Sequence, residues 1–357
     1  MIRLGVGIVG YGRFGRFLHS AWGDQVAGLC DRVRIEAPEF PARTYIDTAA
    51  FLEDPEVAIV CVATEPATHA ALAVGALEAG KHVIVEKPLA LTMEDARRVI
   101  DAAADTGLVA TVDHVLRHHP LVKAVERIGR EGLLGRFRTF TISNYAIVDV
   151  VPPDHWFWDE SRSGGVLVEH GVHFFDLATQ LARSPVRDIA AFRQVRADGR
   201  TDGMAATILH GNGVIAHHSH VFCRTAEAER TVIDLSFEHG SVTLTGWIPL
   251  EGEVWADPGL ETLERIEASL PGYSPIRGEG FPATRARFSL DQSKQTAYTA
   301  SLRALLENLQ AAVEGRESLV VRLDEAASAL GTGLLATEAA GAGVIGSDRC
   351  RRTGRGR

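Results

Sequence analysis

The sequence predicts an α/β protein in two parts. A doubly wound parallel sheet covers residues 1–120, and an α+β unit with a large, mostly antiparallel open sheet covers 121–345. Three observations carry this. A glycine turn, "GYGRFG", stands between a strand-like run and a helix with apolar spacing. Short apolar runs and helical segments then alternate as far as about residue 120. Beyond it, strand-like runs follow one another without intervening helices. Alternation implies crossover connections and parallel strands, whereas uninterrupted runs imply antiparallel pairing.

The first strand lies in "IRLGVGIV". Residues 5–15, "GVGIVGYGRFG", fit G-x-G-x-x-G twice, as Gly5-Gly7-Gly10 and as Gly10-Gly12-Gly15. The earlier register leaves no room for a strand before it and no helix after it. The later one follows the apolar run and opens a helix with Phe14, Phe17, Leu18 and Trp22 on one stripe, so it is the working register. "QVAGLC" is the second strand and ends at Asp31, while the segment from Asp31 to Tyr45 is too short and irregular for a full helix. "VAIVCVAT", "HVIVE" and "LVATVDHV" read as further buried strands. Between them lie an Ala-rich helix ending at Gly80 and a second helix capped by Thr92 and stopped at Gly107. The second unit begins with the helix "LVKAVERIGREG", the strand "RFRTFTISNYAIV" and a helix near 165–182. Strands are expected at 189–197, 204–209, 214–222, 230–237 and 241–246, and closing helices at 294–314 and 323–341.

A net charge of −9 argues against a general binder of nucleic acid or anionic membranes. The basic end, within 346–357, reads as a disordered solubilising tail. Cys30, Cys61, Cys223 and Cys350 are scattered, which disfavours a disulfide framework or a thiolate zinc site. No apolar stretch approaches the ~18 residues of a membrane span. With a strand-like run at the very N-terminus, the expected compartment is the cytoplasm.

Chemistry concentrates in four places. Gly10, Gly12 and Gly15, with the helix-start residues Arg13 and Phe14, suit a pyrophosphate at a helix N-terminus. Asp31 stands where a carboxylate accepts the ribose hydroxyls of NAD, and Arg32 and Arg34 beside it keep NADP as the alternative. Glu86-Lys87-Pro88 follows a parallel strand, so Lys87 is directed at the cofactor crevice, and its bond to proline is a candidate for the cis form. In "SGGVLVEHGVHFFDL", Glu169 and His173 are four apart and share a helix face, with Asp176 one turn on. A carboxylate beside an imidazole suits proton transfer near neutral pH. Arg117, in "RHHP", is a candidate cationic contact to substrate. Trp156 and Trp158 are candidates for an apolar wall of the site. Glu169, His170 and His173 lack H-E-x-x-H geometry, and His218 and His220 share one strand face, so no metal site is expected.

Together these stretches resemble the Gfo/Idh/MocA family of NAD(P)-dependent oxidoreductases, over nearly the whole chain. The resemblance rests on "GYGRFG", "ATEPATHAALAVGALEAGKHVIVEKPLA", the R-x-x-P at Arg117 and "SGGVLVEHGVHFFDL". It implies a Rossmann domain, a second domain whose open sheet builds homodimers or homotetramers, and Lys87, Glu169 and His173 as the catalytic set. It also puts Thr64, Pro66 and His69 on the loop beside the nicotinamide. The family usually has aspartate where Glu169 stands, followed by an apolar residue where this chain has His170, so His170 is a candidate substrate contact.

The expected activity is hydride transfer between nicotinamide and a carbinol carbon of a sugar, cyclitol or related polyol. Two alternatives stand beside it: redox-assisted elimination of a glycoside with transient NAD reduction, and a non-catalytic dinucleotide sensor.

Overall fold

The computed structural model describes residues 4–36, 40–147, 151–152, 154–196, 198–276 and 284–342. The expected basic tail lies outside them.

Six short strands, buried except at the edge strand β3, form the first sheet: β1 (Val6–Val9), β2 (Val26–Cys30), β3 (Arg43–Tyr45), β4 (Ile59–Val62), β5 (His82–Val85) and β6 (Ala110–Val112). They are parallel, in the order β3-β2-β1-β4-β5-β6. The order reverses between β1 and β4, and ligands of such sheets bind beyond the carboxyl ends of strands at that reversal. Helices α1 (Arg13–Trp22), α2 (Thr48–Leu52), α3 (Pro66–Glu78) and α4 (Met93–Thr106) make the crossovers. The expected caps of α4 are present: Thr92 Oγ1 accepts the Asp95 N–H at 3.0 Å, and Gly107 ends the helix at φ 66°. No helix forms among the described residues between Asp31 and Tyr45. The edge strand β3 and the single-turn α2, capped by Asp47, were not foreseen.

The rest of the chain comprises α5 (Pro120–Arg130), β7 (Phe137–Ile147), α6 (Glu160–Ser163), α7 (Val172–Ala182), β8 (Val186–Val195), β9 (Thr201–His210), β10 (Ile215–Arg224), β11 (Arg230–Phe237), β12 (Gly240–Thr245), β13 (Glu251–Ala256), α8 (Leu263–Ser269), β14 (Ser274–Pro275), β15 (Thr284–Ser289), α9 (Lys294–Val313) and α10 (Leu323–Ala342). The nine strands run β14-β15-β13-β12-β11-β7-β10-β9-β8, antiparallel except where β7 pairs with β10. Along β7 the buried positions Phe140, Ile142, Asn144 and Ala146 alternate with half-buried ones. One face is therefore packed and the other open. Strands β13 and β15 extend the predicted sheet.

Helices α9 and α10 return to the first sheet. Trp22 Nε1 donates to the Leu302 carbonyl at 3.0 Å, and Arg303 Nε to that of Ala21 at 2.7 Å. On the other side, Thr111 Oγ1 donates to the Val321 carbonyl at 2.8 Å. Leu302 and Leu305 share a core with Ile8 and Leu29, while Ala326 and Leu330 share another with Val60 and Val83. No helix among the described residues is long and apolar enough to cross a membrane.

Candidate active site

The glycine turn is built by two different demands. Gly10 adopts φ 94°, and a Cβ there would lie 2.5 Å from the Ala63 carbonyl oxygen. A Cβ on Gly15 would lie 2.0 Å from the Gly10 carbonyl oxygen. Both positions need glycine for packing of turn, strand and helix. Gly12 differs, because nothing lies within 4 Å of a Cβ placed there. It caps α1 without a side-chain bond, next to Arg13 and Phe14, and the first turn carries no acid. An open cradle at a bare helix N-terminus fits the pyrophosphate of a dinucleotide. Asp31 ties this turn to the end of β2: its Oδ2 accepts the Tyr11 N–H at 2.7 Å and its Oδ1 the Val33 N–H at 3.1 Å. Arg13 and Arg32 are exposed on either side.

Beyond β4 and β5 two loops face each other. The Lys87–Pro88 bond is cis. His69, buried in α3 behind Pro66, places Nδ1 2.7 Å from the Pro88 carbonyl oxygen and Nε2 3.1 Å from that of Thr64. It bears on the site through the backbone of the two loops it joins. Glu65, at the start of α3, is paired with Arg162 of α6, whose Nε lies 3.0 Å from Oε2.

Lys87 Nζ donates to Glu169 Oε1 at 2.6 Å and to the Glu169 carbonyl at 2.7 Å. Under it, Glu86 and Asp113 meet as a hydrogen-bonded acid pair, because Val85 and Val112 are in register on β5 and β6. Burial lifts both carboxyls; the Asp113 charge and the bond between them carry Glu86 well above the usual range, whereas that bond and the Lys87 charge oppose the rise at Asp113. Burial, with the charges of Asp113, Glu86 and Glu169, also pushes the Tyr298 phenol well up.

The helix expected at 165–182 is interrupted. Leu167–Gly171 form a π-helical turn before α7 begins at Val172, a widening often found at functional sites. Glu169 still reaches Lys87, and His173 lies within range of its charge. His173 is 6% exposed and its Nδ1 has no partner among the described residues. Burial, then the Lys87 charge, hold its pKa well below the ordinary value, so the ring is neutral at pH 7. Its ring lies 4.5 Å from that of Trp247 and 6.2 Å from that of His114.

Arg117 and Asp176 take a different place. They form a buried pair at 3.1 Å, 5% and 3% exposed, and Arg117 also donates to the Val320 carbonyl at 2.6 Å. A second carboxylate, Glu325 of α10, lies 3.5 Å from Arg117, and these bonds together join α7 to α10 and the segment before it. Trp156 lies tilted against His155 at 5.0 Å, while Trp158 and Phe157 pack against Phe222 of β10. Sequence reasoning missed Asp113, Asn144, Trp247 and Tyr298 as parts of this region. Asp113 alone left a signal, as an acid at the end of a buried strand.

Residues 4–114 match the profile "Oxidoreductase family, NAD-binding Rossmann fold", and residues 122–243 match "GFO/IDH/MocA C-terminal domain". The chain belongs to the Gfo/Idh/MocA family. Among its relatives, levoglucosan dehydrogenase of Pseudarthrobacter phenanthrenivorans is 35% identical over 138 residues, which is 38% of this chain and 35% of that one. UDP-N-acetylglucosamine 3-dehydrogenase of Acidithiobacillus ferrooxidans is 28% identical over 223 residues, 61% of this chain and 66% of that one. The matched stretches thus span from about a third to about two thirds of these relatives. The solved structure of the Acidithiobacillus enzyme superposes with a TM-score of 0.77 at 21% identity, covering 96% of this chain and 99% of that one. This member of the Gfo/Idh/MocA family therefore has its relatives' fold throughout, with an NAD-binding Rossmann domain at its N-terminal end.

Proposed function

We propose that this protein is an NAD-dependent oxidoreductase acting on a carbinol carbon of a sugar, cyclitol or related polyol. The observation that carries this is the convergence of three groups from distant parts of the chain. Lys87, just past the end of β5, is bonded to Glu169 at 2.6 Å, and the neutral His173, one helical turn from Glu169, has its pKa depressed by burial and by the Lys87 charge.

Gly10, Gly12 and Gly15 and the amides of Arg13 and Phe14 would hold the pyrophosphate, Asp31 the adenosine ribose, and Thr64, Pro66 and Glu86 the loops around the nicotinamide. Bound NAD supplies the hydride acceptor. His173, uncharged before reaction, takes the hydroxyl proton in oxidation and returns it in reduction. The Lys87 ammonium donates a hydrogen bond to the same oxygen and stabilises the negative charge that grows there. Glu169 holds the Lys87 Nζ in place and compensates its charge. Levoglucosan dehydrogenase and UDP-N-acetylglucosamine 3-dehydrogenase act on an anhydrosugar and a nucleotide sugar, which supports a carbohydrate-like substrate. Asp31 favours NAD over NADP, because a carboxylate at the ribose position repels a 2′-phosphate.

Titration with NADH and NADPH, read by nucleotide fluorescence, tests the cofactor. A panel of sugars, inositols and keto-sugars, read at the reduced-nicotinamide absorbance band, tests the reaction. Binding of NADH with turnover of at least one polyol is expected. Failure to bind either nucleotide, or binding without turnover of any panel member, overturns the reading.

A further inference from the structure

His170 has no task in the hydride-transfer chemistry, and its surroundings give it one. The residue sits in the π-helical turn between Glu169 and Gly171 and is half-buried. Its Nε2 lies 3.0 Å from Asn144 Oδ1, and Asn144 Nδ2 donates to Thr231 Oγ1 at 2.8 Å. Asn144 and Thr231 face each other across β7 and β11 and are 3% and 2% exposed. With the Asn144 amide in this orientation, its Oδ1 accepts from the His170 Nε2–H. A neutral imidazole has only one N–H, so Nδ1 is left as a bare acceptor. The two ring nitrogens point to nearly opposite sides, so the Nδ1 lone pair is directed away from β7.

The ring is walled by Phe222 at 5.2 Å and by Phe174, Trp247 and His220 at 5.7 Å. Burial, then the Lys87 charge, keep it uncharged, with a pKa lowered to about 3. Its ring centroid is 6.3 Å from that of His173, close enough for both rings to meet one polyol.

We propose that His170 is a specificity-determining residue whose Nδ1, fixed as an acceptor by Asn144 and Thr231, receives a hydrogen bond from a substrate hydroxyl adjacent to the reacting carbon. The proposal rests on the polyol reading and deepens it. A site built to accept from a hydroxyl discriminates against an analogue lacking that donor, because the buried acceptor is then unpaired. Asn144 is a positioning residue, acting through the ring.

Two measurements test this on the full-length chain. In histidine-labelled protein, nitrogen NMR should show the His170 signal as the Nε2–H tautomer, and Asn144→Leu should release it. An Nδ1–H tautomer in the unaltered chain overturns the proposal without reference to any ligand. The second uses the best-turned-over member of a panel containing D-glucose, levoglucosan and myo-inositol, with its monodeoxy and mono-O-methyl analogues. His170→Phe should lower kcat/KM for the parent by about tenfold to a hundredfold and leave one deoxy analogue nearly unaffected. His170→Gln, which keeps an acceptor, should restore part of that preference. Equal loss on the parent and every analogue overturns the proposal alone. No turnover across the panel despite NADH binding removes the polyol reading and this inference together.

Discussion

Lys87 and Glu169 are separated by 82 residues yet share a hydrogen bond at 2.6 Å. Replacing Lys87 with Met keeps the aliphatic stem and deletes the ammonium. Turnover should fall by about 10²–10⁴ while the NADH dissociation constant changes little; steady-state rates and fluorescence titration on one preparation check both. The position was legible because a parallel strand must end at Glu86, and a side chain just past such an end faces the crevice. Glu169 and His173 were legible from their spacing, although the π-helical turn was not. Arg117 shows what local reading leaves out. Its cationic side chain suggested a substrate contact, but its partners, Asp176 and the Val320 carbonyl, lie 59 and 203 residues away. Asp176→Asn should act on stability, leaving Glu325 at 3.5 Å as the guanidinium's remaining charge partner, at a cost of about 1–3 kcal/mol. Urea unfolding would register that loss, with the KM for substrate nearly unchanged in the folded fraction.

The glycine turn divides its residues into packing and recognition. Gly15→Ala would push a methyl to 2.0 Å from the Gly10 carbonyl oxygen and separate α1 from β1. A drop of about 1–3 kcal/mol or more is expected. Gly12→Ala meets open space, so the fold should tolerate it within about 1 kcal/mol, whereas NADH affinity should fall by about tenfold or more as the methyl enters the cradle. Thermal melting with and without NADH separates the two cases. Opposite behaviour, with Gly12→Ala unfolding and Gly15→Ala binding normally, would refute the division. Strand and helix identities over the first sheet were readable because each short apolar run is bounded by helical or turn signals. At the far edge of the second sheet the signal thins. Strand β13, "EGEVWA", buries only Gly252, Val254 and Ala256, and β15, "TRARFS", only Ala286 and Phe288. Alternation this short, diluted by small residues, stands out only once the neighbouring strand is known.

Across the molecule, several histidines are held uncharged by their surroundings. His118, His119 and His170 have pKa values lowered to about 3, about 4 and about 3, chiefly by burial. In the unfolded chain each would titrate near its ordinary 6.5. Between these values the unfolded state binds the extra proton, so stability is full above about pH 6.5 and declines as pH falls toward the folded values. By pH 5 each such ring withdraws about 2 kcal/mol. The melting temperature should drop steeply from pH 7 to pH 5; a flat profile would show that these rings are hydrated in solution. The return of α9 and α10 carries a different consequence. Both flanks of the parallel sheet are roofed by segments encoded after residue 290. A gene fragment ending at residue 120 would express strands and glycine turn but leave Ile8, Leu29, Val60 and Val83 without their cover, and so yield an aggregating peptide in place of an excisable nucleotide-binding module.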